Sequence, residues 1–196
     1  MKYRQLGKYG IRLSAIGIGS WLTYGMSIND KTAQNCIKTA IENGIIFFDT
    51  ADIYNKGEAE LSLGRIFFDE LKITREDVVI ASKCFWPMSQ NPNDQGLSRK
   101  HVFESVHKSL KRLKTDYIDI YQCHRHDPNT PMEEICRSFN DLILQGKLLY
   151  WGVSEWSAEN IDEAAAVCEK YNLHRPVSNQ PQYNMIRSQI ETNGGM

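Results

Sequence analysis

Asp49, Tyr54, Lys83, His124, Ser154 and Gln180 are the residues of this sequence whose types and positions can do chemistry together. Asp49 follows the apolar run Ile45-Ile46-Phe47-Phe48, and Tyr54 comes five residues later. Lys83 follows Val78-Val79-Ile80-Ala81-Ser82, and His124 stands just past Tyr117-Ile118-Asp119-Ile120-Tyr121-Gln122. Ser154 follows the run from Leu148 to Val153, and Gln180 ends a weaker run from Pro176. Apolar runs without alternation read as parallel strands buried on both faces, and in such folds sites are built at the carboxyl ends of the strands. Taken singly, each residue has a plainer reading: an aspartate as a cap or turn, a lysine as a solvated end residue, a histidine as a hydrogen-bonded loop residue. Their recurrence at successive strand ends, over one mouth of a sheet, weakens that reading for the set.

An Asp, a Tyr, a Lys and a His at one mouth can move a proton. A lysine ammonium beside a phenol favours the phenolate and lowers the Tyr54 pKa from about 10, while Asp49 holds and balances Lys83. Reduction of a carbonyl by hydride leaves charge on oxygen, which Tyr54 can protonate while His124 donates a hydrogen bond. No side chain supplies hydride, so this chemistry requires a bound nicotinamide. His124-Arg125-His126-Asp127 has no second ligand cluster at suitable spacing, and no metal site is expected. Phe85 and Trp86 open a long loop and are expected to wall a substrate pocket, and Cys84 and Cys123 read as inert thiols beside it.

The elements that must position these residues follow from spacing. Residues 3–16 suit a hairpin turned at Gly7 and Gly10, and a strand is expected in the short run from Leu13 to Gly19. A dinucleotide-binding fingerprint beginning at Gly17-Ile18-Gly19 needs a third glycine at position 22, where Leu22 stands. Ala33, Cys36, Ile37, Ala40 and Ile41 mark one face of a helix over 30–43, stopped by Gly44. A second helix is expected over 58–71, a loop over 84–97, and a third helix capped by Ser98. Thr130-Pro131-Met132-Glu133 reads as a capping box with proline at the first helical position, opening a helix to Gly146. Ser157 caps a fifth helix. Strand candidates starting near 13, 45, 78, 117, 148 and 176, with helices between them, make a βα repeat of about thirty residues.

The totals bound the rest. A chain of 196 residues suits one domain, here taken as 1–196. A formal net charge of −1 gives no electrostatic case for nucleic acid or an anionic membrane, so a small molecule or a protein is the expected partner. Five widely spaced cysteines without a C-x-x-C pair, no apolar signal core and no membrane-length apolar run point to a cytoplasmic chain with reduced thiols.

Several stretches together resemble the aldo-keto reductase family, and most closely its branch of voltage-gated potassium channel β-subunits and bacterial reductase relatives. They are Phe48-Asp49-Thr50-Ala51 with Tyr54, Gly57-Glu58-Ala59-Glu60 with Leu63-Gly64, Gly96-Leu97-Ser98-Arg99-Lys100-His101, Asp127-Pro128-Asn129-Thr130-Pro131-Met132-Glu133-Glu134, and Tyr150-Trp151-Gly152-Val153-Ser154. The resemblance implies a (β/α)8 barrel of the TIM type closed at the bottom by an N-terminal hairpin, with NADPH across the strand ends. It implies a catalytic tetrad of Asp49, Tyr54, Lys83 and His124 acting on a carbonyl substrate. It also implies cofactor contacts from Ser20, Trp21, Asp49, Ser154 and Gln180, with Tyr183 where the family stacks an aromatic on the nicotinamide. Channel β-subunits often carry asparagine at the position of His124, so this residue leans toward an ordinary reductase over a channel accessory. A barrel of this kind takes roughly 250 residues. The expectation is therefore an incomplete barrel of about six strands, with NADPH bound weakly, turnover impaired, and association with another copy or a channel partner left open.

Overall fold

Leu6, Ile11 and Leu13 give the chain an apolar face before its first long helix, and they use it as a plug. In the computed structural model, which describes residues 1–21 and 29–187, Tyr3–Gln5 (β1) pairs antiparallel with Arg12–Ser14 (β2). The turn is closed by the Leu6 N–H donating to the Ile11 carbonyl at 3.0 Å, with Gly7 at φ 54°. Leu6, Ile11 and Leu13 then pack against Val79, Ala81 and Ile120 on the inner face of the main sheet, which is the expected bottom closure.

That sheet contains Gly17–Gly19 (β3), Phe47–Asp49 (β4), Val79–Cys84 (β5), Ile118–Cys123 (β6) and Leu148–Val153 (β7), all parallel and adjacent in chain order. Between and after these strands come Asp30–Glu42 (α1), Glu58–Gly64 (α2), Arg99–Leu113 (α3), Met132–Leu144 (α4) and Ala158–Lys170 (α5). Sheet and helices bury a common core in which Phe48, Ile80, Tyr121 and Trp151 meet Leu63, Val106 and Phe139. Phe139 stacks on Trp151 with ring centres 4.8 Å apart, and burying a side chain of this kind is worth about 1.5–3 kcal/mol. Among the described residues no helix is long and apolar enough to cross a membrane.

Four expectations change in detail. The run from Leu13 to Gly19 is two strands, because the Ser14 hydroxyl donates to the Ile16 carbonyl at 2.7 Å and accepts from the Ile46 and Phe47 amides, ending β2 and handing the chain to β3. The helix expected over 58–71 is regular only to Gly64 and continues as a wider turn over Arg65–Glu70. A Cβ at Gly64 would lie 2.5 Å from the Arg112 carbonyl oxygen, so glycine is what lets α2 approach α3. No capping box forms at Thr130: Pro131 is the cap, the Thr130 hydroxyl donates to Asp127 at 2.7 Å, and Glu133 accepts from Arg137. An ionised carboxylate is a strong acceptor, and it holds that hydroxyl toward Asp127 and away from the first amides of α4.

The fourth change concerns residues 176–180. This segment lies along β7, with Val177 N–H donating to Trp151, Val153 N–H to Ser178 and Gln180 N–H to Val153, yet it registers only one parallel bridge, Val153 to Asn179. Pro176 lacks an N–H, and the segment's outer side meets no further strand among the described residues. A Cβ at Gly152 would fall 2.5 Å from the Ser178 hydroxyl, so the glycine of Trp151-Gly152-Val153 permits this close pass. The fingerprint position Leu22 and the terminal Gly194-Gly195-Met196 lie outside the described residues.

Candidate active site

Strand alternation aims Lys83 inward. Val79 and Ala81 belong to the inner cluster, and Lys83 is two residues further along the same face, 2% exposed. Its ammonium donates to Asp49 Oδ2 at 2.6 Å and to the Thr50 carbonyl at 2.9 Å, and it reaches the Tyr54 hydroxyl at 3.4 Å. The backbone ladder continues past the strand ends and fixes each neighbour. Ser20 N–H donates to Asp49, Thr50 to Ala81, Asp52 to Lys83, His124 to Cys84, Ser154 to Cys123, and Gln180 to Val153. Each of these residues is therefore tied to the strand beside it, which is why the sequence spacing converges in space.

Tyr54 begins a tight turn in which Asn55 and Lys56 both take positive φ, at 47° and 51°, before Gly57 at 96°. Backbone strain of this order clusters at ligand sites. The His124 ring stands edge-on to Tyr54, with centres 5.7 Å apart, and edge-on to Trp86 at 6.3 Å. Trp21 lies 6.4 Å from Tyr54 on the other side. Asp49, Tyr54, Lys83, His124, Trp21 and Trp86 line a cleft of about 740 Å³, along with Ser154 and Gln180.

The structure thus gathers most of the residues singled out from sequence. Ser20 is buried, bonded through its amide to Asp49 and not part of the cleft lining, and Ser154 Oγ donates to the Gln180 carbonyl at 3.0 Å. Tyr183 is 61% exposed and does not line the cleft. Sequence reasoning weighed Arg125 only within the His124-Arg125-His126-Asp127 run and passed over Glu155, and both lie on the cleft wall, each immediately after a residue it did select. It also passed over Asp52 and Glu60, buried behind Lys83, where Glu60 accepts from Ser82 at 2.5 Å and from Arg112 at 2.6 Å. His126 packs on Trp156 at 5.1 Å, and Asp127 accepts from the Leu97 amide at 2.7 Å, so the His-Arg-His-Asp run is divided among different tasks.

The electrostatics correct one expectation. Burial, followed by the negative charge of Asp49, holds the Tyr54 phenol above its ordinary value, where sequence reasoning expected Lys83 to lower it. The Lys83 charge is engaged by Asp49 at 2.6 Å, and burial itself lowers Lys83 against the pull of Asp49. Burial, then the positive charges of Lys83 and Arg125, pushes the His124 imidazole down to about 3. At neutral pH Tyr54 is therefore a phenol and His124 an uncharged imidazole. Burial, then Glu60, pushes the Asp52 carboxyl well up.

Buried oxygens that find no hydrogen-bond partner among the described residues include Ser20 Oγ, Asp49 Oδ1 and Gln180 Oε1, and of these residues Asp49 and Gln180 line the cleft. Unmet polar atoms on residues that line an open cleft fit a polar ligand.

The chain is similar to known proteins over nearly its whole length. The model of the Aldo/keto reductase family matches residues 15–194. A protein of Arabidopsis thaliana described as "Probable voltage-gated potassium channel subunit beta" is 43% identical over 193 residues, covering 98% of this chain and 58% of its own length. A protein of Oryza sativa subsp. japonica with the same description is also 43% identical, with the same coverage of 98% and 58%. This chain therefore spans little more than half the length of these relatives. Among solved structures, a thermostable aldo-keto reductase in complex with the inhibitor epalrestat superposes with a TM-score of 0.84 at 32% identity, covering 99% of this chain and 67% of its own. The parallel sheet with its bottom hairpin, the match over 15–194 and these likenesses have one explanation: the chain belongs to the aldo-keto reductase family.

Proposed function

We propose that this site reduces aldehydes or ketones to alcohols with NADPH, Tyr54 being the proton donor. The observation that carries the reading is the contact of one buried ammonium, Lys83, with both Asp49 and Tyr54 at the floor of a cleft. Bound nicotinamide supplies the hydride, and Gln180 with Ser154 and Ser20 are the residues that would hold its carboxamide, with Trp21 and Asp49 beside it. Tyr183, exposed in this structure, is assigned no step.

The remaining work falls to the chain's own groups. A substrate carbonyl oxygen placed between Tyr54 and His124 accepts hydrogen bonds from a neutral phenol and a neutral imidazole, both aimed at the atom where negative charge develops. Tyr54 then gives its proton to that oxygen. Lys83, held by Asp49, stabilises the phenolate left behind at 3.4 Å. Because Tyr54 is held protonated at neutral pH, the site is set for the reductive direction.

The test is steady-state reduction of a nitrobenzaldehyde at about 1 mM NADPH, so that weak cofactor binding does not mask chemistry. Tyr54→Phe should lower turnover about 10²-fold or more with cofactor affinity little changed. Turnover near that of the unaltered chain would remove Tyr54 from the role. A second reading, a subunit accompanying a potassium channel, draws on the descriptions of the plant relatives. It predicts co-purification with a channel cytoplasmic domain, unaffected by Tyr54→Phe.

A further inference from the structure

Arg125 is a cation on the cleft wall. Of the other charged groups there, Asp49 and Lys83 pair with each other, the Glu155 carboxylate accepts from the Gln182 amide, and Lys56 is exposed on the tight turn after Tyr54. Arg125 makes no ion pair with any described residue. Its Nη1 donates to the carbonyl of His124 at 2.5 Å, and its guanidinium carbon lies 5.7 Å from the centre of the Trp86 ring. One nitrogen is thus used to anchor the group, and stacking on Trp86 orients it. A guanidinium has five N–H donors in a planar fork, so donors remain on the side away from that anchor.

Its position selects the substrate end of the cleft. Trp86 touches His124 at one edge and Arg125 over its face, whereas Ser154 and Gln180, the proposed carboxamide contacts, bond to each other elsewhere on the rim. A half-buried guanidinium that lines a cleft, is pre-oriented by an aromatic ring and forms no ion pair among the described residues matches a planar carboxylate bidentately.

Resting on the reductase reading above, we propose that Arg125 is an anion-binding residue and that the preferred substrates are carbonyl compounds carrying a carboxylate. Trp86 supplies the apolar wall for the carbon skeleton between the two groups. The substrate is thereby fixed at both ends, its carbonyl at Tyr54 and His124 and its carboxylate at Arg125.

The experiment has a turnover arm and a binding arm. In the first, kcat/KM is measured for 4-carboxybenzaldehyde and for its neutral analogue methyl 4-formylbenzoate. The acid should be preferred about tenfold or more, and Arg125→Gln should reduce that preference at least tenfold, as loss of a charge-assisted bidentate contact does. Arg125→Lys, which keeps charge and stem, should retain part of the preference and serves if the glutamine variant does not fold. In the second arm, benzoate binding is followed by titration calorimetry in the absence of any reaction. It should weaken about tenfold in Arg125→Gln and fall with added salt. An unchanged acid-to-ester ratio, or benzoate binding equal in the two proteins, overturns the proposal and leaves Arg125 as a packing partner of Trp86. Failure of both aldehydes to react while benzoate binding still depends on Arg125 overturns the reductase reading and leaves the anion site standing.

Discussion

Lys83 Nζ stands 3.4 Å from the hydroxyl of Tyr54, held there by Asp49 and Thr50 at the end of the neighbouring strand, yet the phenol is not made more acidic by it. Asp49 sits closer, at 2.6 Å from the same ammonium, and its charge joins burial in keeping the Tyr54 proton on. An ultraviolet difference titration of the chain against Tyr54→Phe should therefore show no tyrosinate from Tyr54 between pH 7 and about 10, where an ordinary phenol is half ionised. Ionisation of Tyr54 below about pH 9 would contradict this electrostatic account.

His124 makes stability depend on acid. Its folded-state pKa of about 3 lies below the ordinary value of 6.5, so the unfolded chain binds the proton more readily. The sign follows: the contribution is complete above about pH 6.5 and is lost as pH falls toward 3. Denaturant unfolding at pH 7.5 and at pH 4.5 should show a loss from this residue of about 2 kcal/mol, absent in His124→Asn. Equal pH dependence of the two proteins would mean that the imidazole is not held neutral.

Far from the cleft, Arg75 closes the sheet's lower end. It donates to Asp119 Oδ2 at 2.5 Å, Val78 O at 2.9 Å, Tyr117 O at 3.1 Å and Thr115 Oγ1 at 2.9 Å, while its guanidinium carbon lies 4.0 Å from the Tyr117 ring centre. Asp119 also accepts from the Ile80 amide, so removing the arginine strands a nearly buried carboxylate. Arg75→Ala should cost about 3–5 kcal/mol in unfolding free energy. A loss under about 1 kcal/mol would show that the network is solvated and weak.

Gln180 tests the cofactor side. Its Oε1 is buried without a partner among the described residues, and its backbone is fixed to Val153 at 2.9 Å. Gln180→Ala should weaken NADPH binding by about 1–3 kcal/mol in a fluorescence titration, because the carboxamide loses its acceptor. An unaltered titration would remove Gln180 from the nicotinamide contact.

Much of this was legible because strand-end placement survives errors in strand boundaries. Asp49, Lys83 and His124 were found from apolar runs, and the structure brings them together although β3 and the segment at 176–180 differ from expectation. The direction of the Tyr54 shift was not legible, since it depends on burial and on Lys83 lying nearer Asp49 than Tyr54, which no spacing records. Thr130 was misread because its hydroxyl is held by the Asp127 carboxylate, three residues earlier and outside the capping pattern, while Pro131 takes the cap position. The places of Arg125 and Asp52 were not legible for a related reason: neither carries a periodic signal, and only packing against Trp86 or burial beside Glu60 sets it apart.

The central claim is that a carbonyl bound against Tyr54 and His124 receives hydride from NADPH. Its most direct test is incubation of the chain with 4-carboxybenzaldehyde and NADPH deuterated at the transferable position of the nicotinamide, followed by mass spectrometry of the alcohol. The account predicts an alcohol one mass unit heavier, formed in step with NADPH consumption and nearly abolished by Tyr54→Phe. Alcohol without the label, or no alcohol from a folded chain shown by titration to be saturated with NADPH, would contradict it.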